Sequence, residues 1–369
     1  MLAQAEYMRR AVDSRLGPFL EAGHATAGHN GPHGHPDTPV RNTGHYLCAL
    51  SYLYKETGDG IYSEAADAFA RYLYDMQSKT ASGAIQCMLG DGFDKMNGLI
   101  GQGWTIEALL RYHSVFGDDR ALAVAERIFH AQRYDYSAHL WHRTDLDGGD
   151  LGIDPTYNHN IWFAACAAPL VGLAGDDEAE RMIIDLLTEG AARDFKVDGE
   201  GLLKHSVSLA NKNTRDAETK RAIKKALRPL KFLNPRKLDY KYMEYAYQVF
   251  DMYGFCILEE AYPDLPLFHS DEYRRAASLA LNYPRLNKEL AQEGGGLNVY
   301  GYPYNSLAFE WPYVARHFGL DYEDGAAELW GVQCALMGDP QSGDLTRSNP
   351  DVETFDAKTY EIIRAIEVE

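Results

Sequence analysis

Five short turns constrain this chain more than any other feature. TGDG at 57–60, FGDD at 116–119, AGDD at 174–177, YPD at 262–264 and FGLD at 318–321 recur along it. Their spacing is about 58 residues, with one longer gap near 88. The Gly–Asp pair has a local mechanism. Glycine accepts the left-handed conformation that ends one helix, and aspartate starts the next by accepting backbone N–H bonds. Between the turns the apolar residues follow a helical period, and β-type alternation is scarce. A regular period of this length means helical hairpins, stacked or set in a circle.

The hairpins run over 40–58 with 61–78, 100–116 with 119–133, 157–174 with 176–193, 240–261 with 270–281, and 303–318 with 321–337. Helices at 3–22 and 355–367 are left over and form a sixth pair. Connections within pairs are short. Those between pairs are long, covering 23–39, 79–99, 134–156, 194–239, 282–302 and 338–354. Each pair reverses the chain twice, so all the long connections fall at one end, where the first helix of each pair begins. Function concentrates in long loops on a rigid scaffold.

The layout resembles the (α/α)6 barrel of carbohydrate-active enzymes, an all-α toroid of about six hairpins. The resemblance spans residues 1–369 as one domain, with 194–239 inserted between hairpins. A solenoid of hairpins that binds proteins is the competing architecture, but it does not favour long, glycine- and aromatic-rich loops on one side only.

Composition narrows the function. The formal charge of −18 lacks the basic face that a nucleic-acid binder needs. Twenty-five tyrosines suit either helix interfaces or sugar rings. Cys48, Cys87, Cys166, Cys256 and Cys334 are scattered without a CxxC, which fits a reducing, cytoplasmic setting. No run of 18 apolar residues is present, so no membrane span is expected.

The long connections supply the candidate site. The first is rich in histidine without zinc spacing, and it leads into Asp37, Arg41 and His45. The second, GDGFDKMNGLIGQGW at 90–104, crowds Asp91, Asp94, Gln102 and Trp104 around a helix start. Its glycines remove side-chain bulk, so that a ligand can approach the backbone. The third carries Asp145, Asp147, Asp150 and Asp154 but lacks the closing glutamate of an EF-hand; His142, Asn158, His159 and Trp162 surround the next helix start. Neither the histidines nor these aspartates predict a metal, and no motif predicts a cofactor. The fourth connection holds eleven Lys or Arg within 204–237, either a solvated hairpin or a contact for an acidic partner. Near the last hairpin Tyr302, Tyr304 and Asn305 cluster with Tyr300, Glu310 and Trp311 in a stretch similar to the lining of a sugar cleft.

The segment DKMNGLIGQGWTIEALL is similar to one in unsaturated glucuronyl hydrolases, matching at Gly101, Gln102 and Trp104. Leu99 and Ile100 stand where that family has an aromatic residue and an arginine. The resemblance implies Asp94 as general acid/base, with Asp37, one hairpin earlier, as its partner. It also implies uronic-acid substrates, with Arg41 substituting for the missing arginine. A looser likeness joins the chain to N-acylglucosamine 2-epimerase-type enzymes and to archaeal glycosylation-cluster proteins of hexuronic acids. Three readings follow. One is a glycoside hydrolase acting on uronic-acid-containing oligosaccharides, with Arg41, His45, Asp91, Gln102, Trp104, His142, Asn158, Trp162, Tyr302, Tyr304 and Asn305 contacting substrate. The second is an epimerase or isomerase using a histidine pair drawn from His159, His45 and His142. The third is a non-catalytic barrel that binds a glycan or a partner.

Overall fold

The computed structural model describes residues 2–29, 31–90, 94–207, 236–291, 297–347 and 349–367. The chain begins with α1 (Leu2–Asp13) and α2 (Leu16–Ala22). The first three turn-linked pairs are α3 (Val40–Thr57) with α4 (Gly60–Ser78), α5 (Gly98–Phe116) with α6 (Asp119–His130), and α7 (Tyr157–Ala174) with α8 (Asp177–Asp185). A short α9 (Ala191–Asp194) follows. Then come α10 (Arg236–Ala261) with α11 (Asp271–Leu281), α12 (Tyr283–Ala291), and α13 (Leu307–His317) with α14 (Glu323–Met337). The chain closes with α15 (Val352–Lys358) and α16 (Ile363–Ile366), joined by a 3-10 turn over Thr359–Ile362.

Three of the five turns do what their chemistry dictates; at FGLD, by contrast, Tyr322 precedes the next helix and makes no side-chain cap. Gly58, Gly117 and Gly175 end their helices in the left-handed conformation. Asp59, Asp118 and Asp176 cap the following helices by accepting from Ile61, Arg120 and Ala179. Inner helices α3, α5, α7, α10 and α13 pack in sequence around a ring, which the 3-10 turn after α15 closes by contacting both α13 and α3. The first helices form the outer partner of this last segment, so the two chain ends make the sixth pair. The α5 and α7 surfaces are buried almost all round, as inner helices covered by an outer layer require. Gly103 lies 3.2 Å from the Phe163 Cα for an added Cβ, and Gly254 lies similarly close to Trp162. These small residues bring neighbouring inner helices together.

The structure departs from the sequence expectation in several places: α12 (Tyr283–Ala291) fills much of the expected connection 282–302, and a 3-10 turn interrupts the expected helix at 355–367. The predicted helix at 3–22 breaks after Asp13. Pro18 has no N–H, and its ring conflicts with the carbonyl four residues back, at Ser14. The third long connection folds as a small antiparallel sheet, β1 (Tyr134–Asp135), β2 (Leu140–Thr144) and β3 (Asp150–Ile153), in that order. Of the basic insertion, residues 208–235 lie outside the described residues, and so does Asp91.

Candidate functional site

The long connections are tied to one another at the mouth of the barrel. Asp37 bridges Met88, and Thr38 N–H donates to the Cys87 carbonyl at 2.8 Å. Cys87 and Met88 in turn donate to the Lys95 carbonyl at 2.8 and 2.9 Å. The segment bearing Asp37 and the one bearing Asp94 are thus laced through a shared backbone ladder.

The two aspartates have different surroundings. Asp37, with its side chain 2% exposed, ion-pairs with Arg41 one turn on. Burial pushes its carboxyl up to about 6, against the opposing pull of Arg41. Asp94, 20% exposed, accepts from Met96 N–H at 3.0 Å and faces the Arg143 guanidinium at 3.0 Å. Arg41 is itself buried and also donates to the Tyr304 hydroxyl at 3.0 Å and the His29 carbonyl at 2.5 Å.

What enters the space left by the glycines is the protein itself. Gly98 has φ +63, and a Cβ there would stand 2.4 Å from His159 Nδ1 and 2.6 Å from Asp154 Oδ2. A Cβ on Gly101 would strike the Met96 carbonyl at 2.2 Å. The free N–H groups that open α5 receive a buried carboxylate, Asp154, whose Oδ2 accepts from Leu99 N–H at 3.0 Å, as expected at a helix N-terminus. Asp154 Oδ2 also lies 2.9 Å from His159 Nδ1. Burial opposes ionisation of Asp154, but His159, Arg143 and the Thr156 N–H hold its carboxyl below the usual range. This pairing orients the imidazole and turns Nε2 away from the carboxylate. Gln102 fastens the loop: it accepts from Ile85 N–H at 2.8 Å and donates to the Ile85 carbonyl at 2.9 Å.

Behind the mouth, side chains from the five inner helices and the closing segment meet along the axis. The Arg41 guanidinium lies 5.7 Å from the centre of the Trp104 ring. His45 sits edge-on to Trp104 at 5.1 Å and stacks on Tyr360 at 4.7 Å. Glu107 accepts from the Tyr360 hydroxyl at 3.1 Å and from Arg364 at 2.9 Å. Trp162 stacks on Phe250 at 4.5 Å and on Tyr253 at 5.5 Å, and its indole N–H donates to the Phe250 carbonyl at 3.1 Å. Tyr253 packs on Tyr313 at 4.5 Å. Lys358 is buried, bonded to Asn305 Oδ1 at 2.9 Å and paired with Glu361 at 3.2 Å. Its ammonium sits 4.7 Å from the Tyr304 ring centre and 4.8 Å from that of Phe250.

The axis also collects buried polar atoms without a hydrogen-bond partner among the described residues. Arg41 Nε, His45 Nε2 and Trp104 Nε1 lie on α3 and α5; Asn158 Oδ1 lies on α7. Asp251 Oδ1 and both Glu310 oxygens lie on α10 and α13. Polar atoms buried without partners are costly, so their concentration here marks the axis as a place for a polar ligand or for ordered water. Burial, with Arg41 and Lys358 nearby, holds the His45 imidazole well below its usual range.

Other sequence candidates lie elsewhere. His142 is on β2, held by Asp150 at 2.8 Å and Asp135 at 3.5 Å. Tyr302 is buried and donates to Asn287 at 2.9 Å. Asp145 and Asp147 shape the β2–β3 turn, where the Asp145 and Gly149 N–H groups donate to the Gly149 carbonyl and to Asp147 at 2.7 and 2.9 Å. Among the described residues no three His, Cys, Asp or Glu side chains form a metal-holding group. Sequence reasoning missed Lys358, Glu361 and Arg364, which carried no motif, and the pair His205–Asp251, 3.3 Å apart.

A ring of hairpins, one loop-rich end and a polar axis define the molecule as an (α/α)6 barrel, the architecture of many carbohydrate-active enzymes. The chain is 29% identical over 375 aligned positions to archaeal glycosylation protein Q of Haloferax volcanii, covering 99% of this chain and 98% of that one. Among solved structures it resembles the cellobiose 2-epimerase of Spirochaeta thermophila, with TM-score 0.62, 13% identity and coverage of 99% and 96% of the two chains. It also resembles the unsaturated glucuronyl hydrolase of Bacillus sp. GL1, with TM-score 0.60, 14% identity and coverage of 97% and 96%. At these identities the likeness to the solved structures is one of fold. No family model matches the chain.

Proposed function

We propose that this chain is a sugar-processing enzyme that cleaves uronic-acid-containing oligosaccharides by carboxylate acid/base catalysis, with Asp37 and Asp94 as the pair. The observation that carries the reading is the contrast between two carboxyls on laced segments at the barrel mouth. Asp37 is buried and titrates at about 6, which suits a proton donor near neutral pH. Asp94 is more accessible and stands beside Arg143. Cleavage needs a proton delivered to the leaving oxygen, or to the double bond of an unsaturated uronide, and a water activated on the sugar. Asp37 supplies the proton and Asp94 takes one from the water, whose oxygen ends on the sugar. Arg41 Nε and Trp104 Nε1 are the donors available for the uronate carboxylate, and Trp104, Trp162 and Tyr304 supply flat walls. The kinship with a glycosylation protein supports a sugar substrate.

The test is turnover of an unsaturated glucuronyl disaccharide, followed by loss of its double-bond absorbance. Asp94→Asn and Asp37→Asn are each expected to lower kcat at least about a hundredfold, and wild-type kcat/KM should decline above pH 6. Full turnover by Asp94→Asn would remove that residue from the mechanism.

The His159–Asp154 pair favours a second reading, a sugar epimerase or isomerase. An imidazole oriented by a buried carboxylate is suited to take a proton from carbon. Solvent deuterium appearing at a sugar carbon without bond cleavage, and lost in His159→Gln, is the result that would select it over hydrolysis.

A further inference from the structure

We propose that Glu310, backed by Lys358, is a hydroxyl-recognition group whose two carboxyl oxygens take adjacent hydroxyls of a pyranose ring lying along the barrel axis. The inference rests on the reading of the barrel as a sugar site and adds to it the ligand's orientation.

Glu310 is fully buried, and both its oxygens lack a hydrogen-bond partner among the described residues. The cation beside it is Lys358, 3.8 Å away, which is beyond hydrogen-bonding distance. That ammonium already serves Asn305 and Glu361. Glu310 therefore has a cation nearby but no hydrogen bond from it. A carboxyl in this state calls for donors arriving from outside the protein. Two neighbouring ring hydroxyls match the two oxygens of one carboxyl group in spacing and number.

The surroundings fit a sugar ring. Tyr304 and Phe250 flank the same Lys358 ammonium, and Trp162 stacks on Phe250. Flat apolar faces beside a hydroxyl acceptor are the two elements of pyranose recognition. Arg41 Nε and Trp104 Nε1, on α3 and α5, are unpartnered donors within the same barrel, and Asp251 Oδ1, on α10, is a further unpartnered acceptor. An acidic end of the ligand at Arg41 and Trp104, with its hydroxyl edge at Glu310, uses these groups. Burial pushes Glu310 well above the ordinary carboxylate range and Glu361 up to about 7, in keeping with a cluster that gains from incoming donors.

The experiment is calorimetric binding of methyl β-D-glucopyranosiduronate and its 2-deoxy and 3-deoxy analogues, and of the 4-deoxy analogue, to the full chain and to Glu310→Gln. In the wild type, removing either of two adjacent hydroxyls is expected to weaken binding about tenfold or more. In Glu310→Gln those two penalties shrink several-fold, while the third is unchanged. Equal penalties in both proteins would overturn the inference, as would a wild type that binds all the deoxy analogues as tightly as the parent, or binds none of the four. The deoxy series on the wild type decides the matter even where Glu310→Gln fails to fold. Binding is read apart from turnover. A Glu310-dependent pattern with no hydrolysis leaves this inference standing and removes the hydrolase reading; hydrolysis without the pattern does the reverse.

Discussion

At the scale of single residues, the site is governed by what burial does to charge. Asp37 shows it most plainly. Its carboxyl moves from 3.8 to about 6 because burial outweighs the Arg41 charge. Between those pH values the folded state holds a proton that the unfolded chain has released. The associated stability is complete below pH 4 and is lost as pH rises through 6, by about 3 kcal/mol. Urea unfolding at pH 4 and pH 7 should therefore show a smaller loss of stability for Asp37→Asn than for wild type, by roughly that amount. Glu361 titrates in the same direction and remains in both proteins as common background. Had the variant the same pH slope as wild type, Asp37 would not carry the buried proton.

At the scale of elements, close approach and regular clips do the organising. Gly98 lets the start of α5 touch both His159 and Asp154. Gly98→Ala is expected to cost about 3 kcal/mol, combining left-handed backbone strain with displacement of that pair. Gly34 also has positive φ, at +66, but faces open space, so Gly34→Ala should cost only about 1 kcal/mol. Chemical denaturation of the two variants separates conformational strain from contact. Some of the tyrosines find a use here. Tyr62 donates to Asp13, Tyr74 to Asp118, Tyr112 to Asp67 and Tyr134 to Asp185, each at 2.5–2.8 Å and each 44–51 residues along the chain. These hydroxyls bind one hairpin to the next. Tyr74→Phe should lower stability by about 1 kcal/mol, measured by the same denaturation.

At the scale of the whole molecule, the barrel depends on closing a ring with its last segment. Arg364 and Tyr360 reach Glu107 on α5 from 257 and 253 residues away. Removing the guanidinium leaves a buried carboxylate without its cation. Arg364→Ala should therefore cost about 3 kcal/mol, and Glu107→Gln in the same chain should recover part of the loss. A double-mutant cycle in urea measures this; additive costs would mean that the pair contributes nothing to closure.

Local chemistry made the hairpins legible from sequence. Gly58, Gly117 and Gly175 with Asp59, Asp118 and Asp176 act within a few residues of themselves, so their order along the chain specifies the turns, and the turns specify the pairs. The end that bears the long connections followed from the same count. Arg41, Trp104 and Trp162 were recognisable by residue type at helix starts, but the partners that define their surroundings were not. Gln102, conspicuous in its motif, turned to the backbone of Ile85. Asp154 stood among loop aspartates that lack the closing glutamate of an EF-hand, yet it orients His159 and receives the N-terminus of α5. Lys358, Glu361 and Arg364 belong to no motif at all. Only the closed ring sets them against Asn305, Glu310 and Glu107, because burial and charge pairing depend on neighbours that meet through tertiary packing, whereas helix caps depend on neighbours in the chain.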